Sequence, residues 1–145
     1  MGFTVRTRRN KRINLPDKIG GPLRVKVGFP AGQTDGDVVA RAIWNHYGTS
    51  RGIPSRPFLL NAMRKNKKKY RTAMRTSAGK ILRGETSVGT VVRKLGVLAQ
   101  GDIQDEITTL RTPKNADATV KAKGSSNPLI DTGEMRQAVT YKVDG

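Results

Sequence analysis

Residues 38–60 read VVARAIWNHYGTSRGIPSRPFLL, and this stretch decides how the chain folds. Its first half predicts a short amphipathic helix, because residues on one helix face recur every three or four positions. The face predicted to be apolar comprises Val39, Ala42, Ile43 and His46. Gly48 follows where a helix commonly ends, since glycine adopts positive φ without steric cost. The connection that comes next, between Gly48 and Pro57, is called the crossing, and Pro54 and Pro57 stiffen it. Pro57 also suits the first turn of a second helix, which does not need its missing N–H.

The charge balance of the chain predicts an acidic partner. Its 145 residues include 28 Lys and Arg against 11 Asp and Glu, a formal net charge of +17. Nucleic acid, an anionic membrane surface and an acidic protein face all fit such an excess. The sequence contains no cysteine, which excludes disulfides and thiolate zinc sites. No apolar run approaches the ~18 residues of a membrane span, so we expect no membrane contact of that kind.

Patterns on either side of residues 38–60 predict an α+β fold in a single domain, residues 1–145. Residues 1–22 are predicted to form a basic arm or an edge strand near 3–7, with a solvated, flexible terminus as the alternative. Residues 24–29 and 139–143 alternate like strands with one buried face. A long helix is predicted from Pro57 to about Gly84, and a long core helix from Val88 to Leu110. Residues 112–127 are predicted to be an exposed loop with a weak strand at 118–122. We therefore expect a small antiparallel sheet packed against a few helices.

A second informative stretch, residues 127–143, reads NPLIDTGEMRQAVTYKV. Its Asp131, Thr132 and Gly133 match the D-T-G of aspartic proteases, in which two aspartates share one proton. A protease would need a second D-T-G or D-S-G, and the sequence has neither. We interpret these residues as a turn, capped by Asp131 or Thr132, that leads into a short helix and a closing strand.

Together the two stretches resemble the small tail-component, or tail-completion, family of long-tailed bacteriophages. The resemblance rests on W-N-x-x-G-T and I-P-x-R-P-F-L within residues 43–60, and on P-L-I-D-T-G-x-M-R-x-A-V-T-Y within residues 127–141. Met135 and Ala138 stand where the family usually has Leu and Ser. The resemblance implies a non-enzymatic virion protein that acts in tail completion or head–tail joining.

The resemblance also implies partners and a location. Members of the family assemble in the host bacterial cytoplasm as a ring that joins the virion at the neck or upper tail. We therefore expect a closed homo-oligomer of six or twelve copies, with connector or stopper, tail terminator and tail tube proteins as neighbours. Ring proteins often order their loops only on assembly, so we expect rapid amide exchange in residues 1–22 and 112–127 of the free protein.

Roles for individual residues follow from the same interpretation. Trp44 and Phe58 are predicted to anchor helix to sheet. Arg56 is predicted either to pair with a carboxylate such as Asp131, and so hold the crossing against the closing turn, or to be solvated. The remaining positions with an expected structural or interface role are Gly48, Pro54, Pro57, Thr132, Gly133 and Arg136.

Two basic clusters are the candidate contacts for an anionic partner. The basic arm contains Arg6, Arg8, Arg9, Lys11 and Arg12. The cation run, residues 64–71, contains Arg64, Lys65, Lys67, Lys68, Lys69 and Arg71. We expect the cation run to project from the body, where it can dock on an acidic neighbouring subunit, contact DNA phosphates without sequence specificity, or remain solvated. The alternative function is therefore a basic nucleic-acid-binding module.

No pattern in the sequence predicts an enzyme, a cofactor or a metal site. His46 is the only histidine and has no carboxylate or cysteine beside it, so we expect it to pack rather than to bind metal. The serines lack a recognisable base partner. The pair Gly20-Gly21 lacks the lysine and the spacing of a phosphate-binding loop.

Overall fold

The computed structural model describes residue 19 and residues 24–144. These residues form two strands and five helices, in the order β1 (Arg24–Gly28), α1 (Gly36–Tyr47), α2 (Phe58–Leu82), α3 (Val88–Thr109), α4 (Asp117–Lys123), α5 (Glu134–Gln137) and β2 (Thr140–Asp144). The predicted α+β class, with a small antiparallel sheet and long helices, is confirmed. The strand predicted near residues 3–7 and the basic arm lie outside the described residues.

The sheet pairs β1 with β2, and α3 packs against both strands. The strands are antiparallel, with Arg24 opposite Asp144 and Gly28 opposite Thr140. A glycine on α3 permits this close packing. A Cβ at Gly96 would lie 2.4 Å from Cδ2 of Tyr141, so a larger residue at this position would push the helix away from the sheet.

The hydrophobic core lies where four parts of the chain meet: α1, the start of α2, the second half of α3, and residues 129–139. Its fully or nearly fully buried members include Ala42, Phe58, Ala62, Ile103, Ile107 and Val139. The Phe58 ring packs edge-on against Phe29 at 6.4 Å and against His46 at 5.4 Å between ring centroids. Residues 43–60 and 127–141, which are far apart in the sequence, therefore share one core.

Helix α1 is rotated relative to the prediction. The structure buries Val38 and Ala42, whereas Ile43, which was predicted to be on the buried face, is 50% exposed. The reason is that apolar residues surround most of this helix, so their spacing did not define a single face.

The prediction that residues 112–127 form a loop with a weak strand at 118–122 is wrong for its central part. Helix α4 occupies Asp117–Lys123. Asp117 lies in its first turn, and Lys121 and Lys123 lie in its last turn, as the helix dipole favours. No residue of α4 is buried, so contacts outside the helix must hold this segment in place.

Candidate functional site

The crossing between α1 and α2 is built around Gly48. This residue ends α1 with a φ of 78°, and its N–H donates to the Trp44 carbonyl. A Cβ there would lie 2.8 Å from the Ser55 nitrogen and 2.9 Å from the Ile53 oxygen. The predicted glycine stop is therefore confirmed, for a steric reason as well as a conformational one.

The two prolines fix the end of the crossing. Pro54 is half-buried, and Pro57 is the N-cap residue of α2, one position before the first helical residue. Between them, the Arg56 N–H donates to the Asn45 carbonyl at 2.7 Å. This bond fastens the crossing to the last turn of α1.

Arg56 is the most buried charged side chain in the described part of the protein, with 1% of its surface exposed. Its Nε donates to the Pro113 carbonyl at 2.7 Å, and its Nη2 donates to the Lys114 carbonyl and to Oδ1 of Asn115. Its Nη1 donates to Oδ1 of Asn45 at 3.1 Å. The predicted Arg56–Asp131 pair is wrong, because the guanidinium donates to uncharged carbonyl and amide oxygens instead.

The closing turn leads into a short helix as predicted, but the prediction that Asp131 or Thr132 is its N-cap residue is wrong. Gly133, with a φ of 85°, is the N-cap residue of the four-residue α5, and the Thr132 hydroxyl accepts from the Glu134 N–H at 3.4 Å. Asp131 and Thr132 are exposed. Asp131 forms no hydrogen bond or ion pair with the other described residues. Arg136 donates from Nε to the Thr108 hydroxyl at 3.0 Å and so ties α5 to α3.

A cavity of about 350 Å³ separates the crossing from the closing turn, and both stretches contribute to its walls. Each cation that lines it already has a partner within the chain. Arg41 pairs with Glu134 at 2.6 Å, and Lys123 donates to the Asn127 carbonyl at 3.1 Å. Burial lowers the pKa of the Lys123 ammonium, and Asp131 partly offsets this effect. We interpret the cavity as a junction between structural segments rather than as a ligand site.

The α1 outer face, formed by Ile43, Trp44 and Tyr47, is apolar and exposed. These side chains are 50%, 49% and 75% exposed. The prediction that Trp44 anchors helix to sheet is therefore wrong, whereas the predicted anchor Phe58 is fully buried. The sequence did carry a signal for this face, since aromatic and β-branched residues occupy the side of α1 opposite Val38 and Ala42.

The cation run does not project from the body as predicted, because one side of it packs on α3. Lys65 pairs with Glu106, a carboxylate that is only 5% exposed. Lys69 and the Tyr70 hydroxyl both bind Asp102, at 2.6 and 2.7 Å. Burial and the bond to Asp102 raise the pKa of the Tyr70 phenol. Two of the six predicted cations thus stabilise the contact between α2 and α3.

The other side of α2 carries the outer row, which consists of Arg64, Lys67, Lys68, Arg71 and Arg75. All five are exposed, and none forms an ion pair with the described residues. Sequence reasoning missed Arg75, although it follows Arg71 by four positions and so falls on the same helix face. The basic arm lies outside the described residues.

His46 has a packing environment, as predicted. It lies against Phe58, and its Nδ1 is buried without a hydrogen-bond partner among the described residues. Burial lowers the pKa of this imidazole. Across residue 19 and residues 24–144, no group of three or more His, Cys, Asp or Glu side chains is placed to hold a metal ion.

Comparisons of the chain with protein-family models, with curated proteins and with solved structures find no match. Within the described residues, no helix is long and apolar enough to cross a membrane.

Proposed function

We propose that this protein is a structural virion subunit of a tailed phage that acts in tail completion or head–tail joining, as part of a ring at the neck or upper tail. The observation that carries the proposal is the α1 outer face, supported by the resemblance of the flanking sequence to the tail-component family. On this proposal the protein is assembled in the bacterial cytoplasm and contacts connector or stopper, tail terminator or tail tube proteins.

The composition of the α1 outer face favours a protein partner. Tryptophan and tyrosine are the residues most enriched at the energetic centres of protein interfaces. The three side chains of this face are uncharged, although 39 of the 145 residues of the chain are Lys, Arg, Asp or Glu. A helix that is apolar on both sides is normally packed against other residues on both sides. We infer that a neighbouring copy of the same chain packs against the α1 outer face.

The crossing gives this face a fixed orientation. Gly48, Ser55 and Arg56 each bond to the last turns of α1, so the helix cannot tilt without breaking these hydrogen bonds. An interface element that is fixed before assembly loses less conformational entropy on binding. The rigid crossing therefore suits a subunit that must repeat one contact around a closed ring.

Native mass spectrometry and negative-stain electron microscopy of the concentrated protein test this proposal. We expect closed particles whose mass is six or twelve times the 15.9 kDa of one chain. The variant Trp44→Ser with Tyr47→Ser should remain folded but monomeric.

The matched control replaces two exposed apolar residues on other helices, Leu82→Ser with Val97→Ser, and should still assemble. A protein that stays monomeric at every concentration would contradict the ring. If the control variant loses assembly and the α1 variant retains it, the interface has been assigned to the wrong helix.

A further inference from the structure

Seven of the eight cations of helix α2, all except Lys80, form two chemically different sets. Lys65 and Lys69 face α3 and are paired with acids, whereas the five cations of the outer row face away from it. The acids that α3 offers to α2 are Asp102 and Glu106, and both are already bound on the inner side. Among the described residues, the outer row therefore presents five positive charges without an acidic partner along one helix face.

The composition of this row differs from that of a protein interface. Aromatic residues, methionine and arginine are enriched at the centres of protein–protein contacts, and lysine is depleted. Of the enriched types the outer row has only arginine. The outer row has no aromatic side chain, and the exposed apolar residues Leu60, Met74 and Leu82 lie apart along α2. The absence of aromatic residues also removes the stacking surface that single-stranded nucleic acids use.

The spacing of the row suits a duplex backbone. From Arg64 to Arg75 the helix rises about 16 Å, at ~1.5 Å per residue. One strand of duplex DNA places a phosphate every ~3.4 Å along its axis, so the same length carries about five phosphates. The number of cations in the row is thus similar to the number of phosphates along the same axial length of one strand.

We propose that the outer row of α2 contacts the phosphate backbone of duplex DNA without reading its sequence. Lys65 and Lys69, although they belong to the same cation run, take no part in this contact because Glu106 and Asp102 neutralise them. The inference goes beyond the proposed ring and uses a different helix from the α1 outer face, so the two proposals can fail independently.

Fluorescence anisotropy with short DNA duplexes of unrelated sequences, measured over a series of salt concentrations, tests the inference. The test variant changes Arg64, Lys67, Lys68 and Arg71 to Gln, which keeps a good helix former at each position. The control variant changes four exposed cations outside α2 to Gln, namely Arg93, Lys94, Lys114 and Lys121. Each variant loses four of the 17 net positive charges, so the two have the same net charge.

We expect the wild-type protein and the control variant to bind all duplexes at about 0.15 M salt. The test variant should lose at least about tenfold in affinity, and the slope of log affinity against log salt should fall by about three to four. Circular dichroism melting should show that both variants remain folded.

Three results would overturn the inference. Equal losses in the two variants would show that overall charge, not the outer row, binds DNA. The absence of wild-type binding at about 0.15 M salt, together with row-dependent binding to poly-glutamate, would assign the row to an acidic protein. A strong preference for one duplex sequence would mean that base edges are read.

Discussion

The guanidinium of Arg56 joins two stretches of chain that lie 57 positions apart. It is buried without a carboxylate partner among the described residues, and this burial lowers its pKa from the usual value. Each buried oxygen left without its donor would cost about 1–3 kcal/mol. Lysine cannot replace this group, because a single ammonium does not reproduce the planar fork that reaches several acceptors.

His46 gives the fold a dependence on pH that can be measured at one residue. Burial disfavours the charged imidazole, so its folded pKa lies below the ordinary 6.5, whereas the unfolded chain keeps a value near 6.5. Between these two values the unfolded state binds more protons, so the stability that His46 contributes is present above pH 6.5 and is lost as the pH falls through the folded value.

We expect the NMR titration of the single histidine to give a pKa below 6.5. Urea unfolding at pH 7 and pH 5 should show a smaller loss of stability in His46→Gln than in the wild-type protein, since glutamine does not titrate. A folded-state pKa at or above 6.5 would contradict this account of the site.

At the scale of elements, the sequence predicted the long helices and the turns, because these depend on residues close together in the chain. The structure places α2 at Phe58–Leu82 and α3 at Val88–Thr109, each within two residues of the predicted ends. The glycine stop at Gly48 and the turn at Gly133 were also predicted, because turn chemistry depends on the residue itself.

The sequence did not predict what depends on distant partners. The oxygens that bind Arg56 come largely from residues 113–115, and no local pattern connects them to the crossing. The same is true of the cation run. Lys65 is paired with an acid and Arg64 is not, and this difference depends only on where α3 packs against α2. Helix α4 was missed because none of its seven residues is buried and they carry no apolar stripe.

The bonds from Arg56 to residues 113–115 replace the expectation of rapid exchange over residues 112–127, because they should hold this segment in place in the free protein. In Arg56→Met, the Pro113 and Lys114 carbonyls lose their donor, and the exposed α4 has no buried residue to keep it in place. Hydrogen exchange followed by mass spectrometry should therefore show faster exchange over residues 112–127 and unchanged protection in α3.

The control for this experiment is Arg136→Met, which removes an exposed arginine that bonds to Thr108. It should leave exchange over residues 112–127 at the wild-type rate. If Arg56→Met also leaves that rate unchanged, the guanidinium does not hold the segment. The milder variant Asn115→Ala removes one acceptor of Arg56, together with a donor to the Pro128 carbonyl, and should give an intermediate rate.

At the scale of the whole molecule, two surfaces differ in chemistry. The α1 outer face is apolar and aromatic, whereas the outer row of α2 is cationic and lacks aromatic residues. The net charge of +17 predicted an anionic partner, but composition alone did not indicate which residues would meet it. We propose that one surface joins copies of the chain and that the other faces DNA.

The most direct test of the ring proposal uses the emission of Trp44, the only tryptophan in the chain. Because 49% of this side chain is exposed, the free subunit should show red-shifted emission that acrylamide quenches readily. As the protein is concentrated, we expect a blue shift and loss of quenching that follow the increase in particle mass measured by light scattering. An increase in mass with unchanged Trp44 emission, or no increase in mass at all, would contradict assembly through the α1 outer face.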